Sequence, residues 1–115
     1  MPVIMLAMLL LGDAPVSSTC DVEQAIAASR RAAMARSYSS DLEVGAFHGP
    51  MRWHEFASLL PYYAGRVGLK NRLELVRFYY VLLVPVSRPG AVSLGGFVAF
   101  VDKTNCEVLE GLRER

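Results

Sequence analysis

The residues of this 115-residue chain whose chemistry is most readily predicted are its two cysteines, Cys20 and Cys106. Each thiol has only the other as a partner within the chain, so oxidation would join them in one disulfide that closes a loop over most of the sequence. The chain-entropy treatment assigns such a crosslink roughly 4–5 kcal/mol of stability. We predict this disulfide for an exported protein; in a cytosolic protein the alternative is two separate buried thiols.

Histidines can ligate a metal or exchange protons, and the chain has two of them, His48 and His54. Their spacing does not place them on one face of a helix, and neither a Cys-x-x-Cys pair nor a His-Glu-x-x-His motif accompanies them. A Gly-x-Ser-x-Gly elbow and the glycine-rich phosphate loops are missing as well. The sequence therefore predicts no catalytic, cofactor-binding or metal-ligating residue, and no cofactor.

Aromatic residues concentrate in the middle of the chain, where they could line a ligand cavity between a helix and a sheet. Their spacing is that of core residues, so packing is the interpretation we favour. The group comprises Trp53, Phe56, Tyr62, Tyr63, Phe78, Tyr79 and Tyr80.

The N-terminal segment predicts the compartment. Residues 3–11 are all apolar, a run that is too short for the roughly 20 residues of a membrane-spanning helix but is typical of a signal-peptide core. Val16 and Ser18 suit the −3 and −1 positions of a cleavage site before Thr19. We therefore predict a signal peptide over residues 1–18 and a single domain over 19–115. A basic residue before the core is missing, which leaves a truncated start open, and a buried element of the domain is the alternative.

Export predicts a periplasmic or secreted protein. The alternative is a lipoprotein anchored at Cys20, which would bring the domain to a membrane. The lipoprotein signal requires Leu at −3 and Gly or Ala at −1, whereas Ser17 and Thr19 occupy these positions here.

The charge balance excludes one class of partner. Twelve basic and eleven acidic residues give a net charge of +1, and the basic residues are scattered, so the chain lacks the basic surface of a nucleic-acid-binding protein. We predict no nucleic-acid partner.

Helical and strand patterns alternate along the domain. Asp21 and Gln24 form a capping pattern that opens a helix over residues 21–37. A short strand over residues 42–47 is expected to stop at His48-Gly49-Pro50.

A second helix is expected to open at Pro50, to place Trp53, Phe56, Leu59 and Leu60 on one face, and to end at Pro61. Residues 65–71 have the composition of a turn-rich connection. The continuous apolar run over residues 73–86 predicts a long strand at the centre of a sheet.

The C-terminal segment predicts a hairpin, with strands over residues 97–101 and 106–112 joined by a polar turn. Residues 95–109 resemble the closing hairpin of small bacterial envelope domains of the PepSY type and of immunity-like proteins with the nuclear-transport-factor fold. In those families a Lys-Thr-Gly turn precedes a Val-Leu strand; here Asn105 and Cys106 replace the Thr and Gly. Glycine at such a position readily adopts a positive φ. A cysteine there gives up this conformational freedom, which suggests that it forms a covalent bond instead.

These patterns predict an α+β domain in which an N-terminal helix packs on a curved antiparallel sheet of three or four strands, cystatin-like or nuclear-transport-factor-like. The function we favour is a non-enzymatic exported module that binds or inhibits another envelope protein, as the PepSY-like resemblance implies. The alternatives are a small-ligand-binding domain with an aromatic-lined cavity, and a small enzyme on a cone-shaped fold that uses His48, His54 or the tyrosines. The sequence leaves the oligomeric state open.

Overall fold

The computed structural model describes residues 19–39, 41–86 and 95–113. The predicted signal peptide therefore lies outside the described residues. The elements, in chain order, are α1 (Val22–Ala35), β1 (Leu42–Met51), α2 (Trp53–Leu59), a 3-10 turn (Pro61–Tyr63), α3 (Val67–Leu73), β2 (Phe78–Pro85), β3 (Phe97–Asp102) and β4 (Val108–Arg113). Within these ranges no helix combines the length and apolar character needed to cross a membrane.

The predicted α+β fold is confirmed, with α1 packed on a four-stranded sheet of order β1-β2-β3-β4. Every neighbouring pair of strands is antiparallel. Side chains alternate between the two faces of a strand, and in β2 both sets are buried: Tyr79, Val81 and Leu83 face the same core as α1, whereas Phe78 and Tyr80 face the core under α2 and α3. This two-sided burial explains why residues 97–101 of β3 are buried without interruption.

Helix α1 begins with the Asp21–Gln24 capping pattern that the sequence predicts. Asp21 Oδ1 accepts a hydrogen bond from Gln24 N at 2.8 Å, and Gln24 Oε1 accepts one from Asp21 N at 2.9 Å. Ala25 and Ala28 are buried, and these small side chains let the helix lie close to the sheet. The hydroxyl of Ser29, also buried, donates to Ala25 O at 2.8 Å, so its polar group is satisfied.

The prediction for residues 65–71 is wrong, because they lie largely in α3 rather than in a turn-rich connection. Leu69 and Leu73 are one helical turn apart and both are buried, and this pair stabilises a helix that Gly65 and Gly68 obscure in the sequence. Since Leu73 belongs to α3, the predicted strand over 73–86 begins only at Phe78.

β1 also differs from its prediction, since it continues through His48-Gly49-Pro50 to Met51. Gly49 has φ +112, and a Cβ at this position would lie 2.7 Å from Phe78 O, so only glycine lets the strand pass here.

The second helix does not open at Pro50. It begins at Trp53, after Arg52, whose backbone N–H donates to Glu55 Oε1 at 2.8 Å. Trp53 and Phe56 share its buried face as expected, but Leu59 is 48% exposed.

Candidate binding surface

The predicted disulfide joins Cys20 and Cys106, which lie 86 positions apart in the sequence and whose Cα atoms are 5.2 Å apart. Cys106 adopts φ +63, so it takes the left-handed conformation that glycine would favour and forms the covalent bond as well. Backbone contacts hold Cys20 in place: its N–H donates to Lys103 O at 2.8 Å, and its carbonyl accepts from the Tyr79 hydroxyl at 2.6 Å. The start of the domain is thereby fixed to the β3–β4 turn.

The two histidines lie on different elements. His48 is on β1, where its ring stacks on Tyr80 at 5.6 Å, and His54 is exposed on α2 beside Lys70 and Glu74 in a surface cleft. Among the described residues, no group of three His, Cys, Asp or Glu side chains could hold a metal ion.

Most of the aromatic cluster packs against itself. Phe56 is 0% exposed, and its ring contacts five others at centroid separations of 5.3–5.7 Å. These partners are Trp53, Tyr63, Phe78, Tyr80 and Phe100. The space that a ligand would need between the sheet and α2 is therefore filled by the protein's own rings.

The outer edge of β1 offers only short stretches of regular backbone for pairing with another strand. Val86 N donates to Asp41 O, so by the alternation of an antiparallel pair the backbone groups of Val44 point away from β2. Irregular pairing between Val44 and Ala46 and again between His48 and Met51 divides the strand into short regular segments. Such interruptions protect an edge strand from pairing with other chains.

Tyr62 is the most exposed aromatic residue of the cluster, at 68%. Its position follows from the local sequence: Pro61 opens the 3-10 turn, and Tyr63 turns inward and is buried. Because neighbouring residues of a tight turn point in different directions, burial of Tyr63 directs Tyr62 outward. Val67, also 68% exposed, and Leu59 add apolar surface to the same segment.

Arg66 holds Tyr62 in place. Its guanidinium carbon lies 5.3 Å from the Tyr62 ring centroid and 5.5 Å from that of Tyr63, and Nη2 donates to the Tyr62 hydroxyl at 3.2 Å. The two tyrosine rings meet edge to face at 4.9 Å. Leu59, Tyr62, Arg66 and Val67 are called the Tyr62 surface below.

Arg66 also lines a surface cleft of about 320 Å³ between α3 and β4. Leu69 and Leu112 supply apolar walls, while Arg72 and Glu110 form an ion pair at 3.1 Å. Arg66 is not a member of this ion pair.

Sequence reasoning placed Tyr62 in the core with the other aromatic residues and did not single out Arg66. The pattern that could have identified the surface is Pro-Tyr-Tyr followed by Arg, because a turn cannot bury two successive tyrosines on one side.

Comparison of the chain with protein-family models, with curated proteins and with solved structures finds no match. The PepSY-like resemblance of the hairpin therefore stays a prediction.

Proposed function

We propose that this protein is an exported, non-enzymatic domain that binds another envelope protein through the Tyr62 surface. The observation that carries the proposal is Tyr62 itself, a large aromatic side chain that is 68% exposed and is nevertheless held by Arg66 and Tyr63. A side chain that is ordered before binding loses little conformational entropy when a partner covers it. Tyrosine and arginine are also the residue types in which binding energy concentrates at protein interfaces.

Export is supported by the disulfide together with the apolar leader. Disulfides persist in oxidising compartments, and this one joins the first described residues to the last hairpin. Lipidation of Cys20 would need its sulfur for a thioether, whereas that sulfur is bonded to Cys106. The disulfide therefore favours a periplasmic or secreted protein over the lipoprotein alternative.

The chemistry of the Tyr62 surface indicates which groups of a partner would fit it. Arg66 offers a guanidinium that is not part of the Arg72–Glu110 ion pair, and the adjacent cleft has apolar walls from Leu69 and Leu112. A matching protein segment presents a carboxylate to Arg66 and a large apolar side chain to the cleft or to the Tyr62 ring. The filled aromatic core around Phe56 supports protein binding over the small-ligand alternative, because its rings leave no room for a ligand.

Photo-crosslinking in cells tests the proposal. A photoreactive phenylalanine analogue is placed at Tyr62 and, as the control, at Arg31, an exposed position on α1 at the other face of the sheet. We expect one defined crosslinked protein from position 62 that is missing from position 31.

Specificity is tested by adding Arg66→Gln to the position-62 variant, which should abolish that product because the carboxylate of the partner loses its counter-ion. Equal crosslinking from both positions, or a product that survives the Arg66 substitution, would contradict the proposal.

A further inference from the structure

A second functional feature lies on the α1 side of the sheet, at the end where α1 terminates. Here a cleft of about 220 Å³ is lined by Arg36, Ser37, Tyr38, Ser39, Leu42, Pro85, Gly95 and Arg113. These residues come from five separate parts of the chain, so the fold assembles the cleft. It does not involve the Tyr62 surface.

Both arginines of the cleft are held by aromatic rings. The Arg36 guanidinium carbon lies 5.4 Å from the Phe97 ring centroid, and that of Arg113 lies 5.1 Å from the Tyr38 ring centroid. The two rings contact each other at 5.3 Å, and the Tyr38 hydroxyl donates to Gly96 O at 3.4 Å. Stacking occupies the faces of the guanidiniums and leaves N–H groups at their edges for a ligand.

Gly111 leaves room for the Arg36 side chain beside Arg113. A Cβ at Gly111 would lie 3.2 Å from the Arg36 guanidinium carbon, so Arg36 lies directly over this residue of β4. Residues 111 and 113 point to the same face of the strand. Arg36 and Arg113 therefore share one patch of the α1 face.

The ion pair between Arg72 and Glu110 does not involve either of these two arginines. Arg36 donates one N–H to the Ala32 carbonyl at 3.2 Å, which satisfies part of its donor set. Two adjacent cations repel each other, and a bound anion removes this repulsion.

Hydroxyl groups and an apolar wall complete the cleft. Ser39 Oγ accepts a hydrogen bond from Asp41 N at 2.9 Å, so its proton is available to donate. Ser37 adds a second hydroxyl, and Leu42 and Pro85 supply apolar surface.

We propose that this cleft binds a phosphomonoester group that carries an apolar substituent. A phosphomonoester has a charge of about −1.5 to −2 at neutral pH and three acceptor oxygens, which match two guanidiniums and a hydroxyl donor. The same group occurs on small phosphorylated molecules and on the headgroup of phosphatidic acid, and the experiment distinguishes these sources.

The test is an NMR titration of the oxidised protein with inorganic phosphate and with phenyl phosphate. Amide signals of residues 36–39, 42 and 113 should shift and saturate, with tighter binding of phenyl phosphate because its ring reaches Leu42 and Pro85. Arg36→Gln and Arg113→Gln should each weaken binding by roughly tenfold, the loss expected for a charge-assisted hydrogen bond.

Arg77→Gln is the matched control, since it removes the same charge from the opposite end of β2 and should leave affinity unchanged within about twofold. Flotation with phosphatidylcholine vesicles, with and without phosphatidic acid, tests whether the ligand is a lipid. Vesicle binding that requires phosphatidic acid and both arginines assigns a lipid headgroup. Saturable binding of phenyl phosphate without vesicle binding assigns a small molecule. Shifts spread over all arginines without saturation, or wild-type affinity in both cleft variants, would overturn the proposal.

Discussion

Removal of the Cys20–Cys106 disulfide should destabilise the domain about as much as the costliest truncation of a core side chain. For a sequence separation of 86 between the cysteines, the loop-closure relation gives an entropy term worth about 4.6 kcal/mol at 25 °C. The φ of +63 at Cys106 is unfavourable for a residue with a Cβ, and this cost in the folded state lowers the net contribution of the bond. A domain of this size has a total stability of roughly 5–15 kcal/mol, so a large fraction depends on the crosslink.

The assay is urea unfolding of the oxidised protein, of the protein kept reduced by dithiothreitol, and of the Cys20→Ala/Cys106→Ala double variant. The reduced protein and the double variant should both lose about 4–5 kcal/mol and agree with each other within about 1 kcal/mol. Cys106→Gly paired with Cys20→Ala is a further control, since glycine removes the cost of positive φ and should recover up to about 1 kcal/mol relative to alanine. A loss below about 1 kcal/mol on reduction would refute the reasoning, because the start of the domain would then be held by its other contacts.

Three further predictions concern the elements that position the two sites. Tyr79→Phe removes the hydroxyl that donates to Cys20 O and should cost about 0.5–1.5 kcal/mol in thermal melts; a neutral result would contradict the role of that bond in fixing the chain start. Leu83→Ala should lower the free energy of unfolding by roughly 2–5 kcal/mol because Leu83 is fully buried. Leu82→Ala should lower it less, because Leu82 is half-buried. The reverse order in urea unfolding would show that the faces of β2 are assigned wrongly. Gly49→Ala should cost at least about 1 kcal/mol, because φ is +112 and the added Cβ would lie 2.7 Å from Phe78 O; unchanged stability would contradict this path for β1.

The elements that the sequence predicts correctly are those with local signals. The capping residues Asp21 and Gln24 mark the start of α1, and the polar turn between β3 and β4 marks the hairpin. The disulfide was predictable because each cysteine has one possible partner. For the helix start and the hairpin a short segment contains the whole signal, and for the disulfide the count of two cysteines does.

The elements that the sequence predicts wrongly depend on tertiary contacts. α3 is stabilised by burial of Leu69 and Leu73 against the sheet, which outweighs the helix-breaking tendency of its glycine. β1 passes through Gly49-Pro50 because pairing with β2 continues to Met51.

Both candidate sites were missed for a similar reason. The exposure of Tyr62 depends on which of the adjacent Tyr62 and Tyr63 side chains is buried in the core, and this depends on tertiary packing. The cleft places Arg36 beside Arg113, residues far apart in sequence, and only the sheet brings them together.

The measurement that tests the proposed function most directly is the affinity of the crosslinked partner, once purified, for this protein and its variants. Tyr62→Ala should weaken binding by at least about 30-fold, which corresponds to the roughly 2 kcal/mol that defines an interface hot spot. Arg31→Gln, on the opposite face, should bind like the wild type. Equal affinity of the Tyr62→Ala variant and the wild type, with both proteins folded and oxidised, would contradict the assignment of the Tyr62 surface as the binding site.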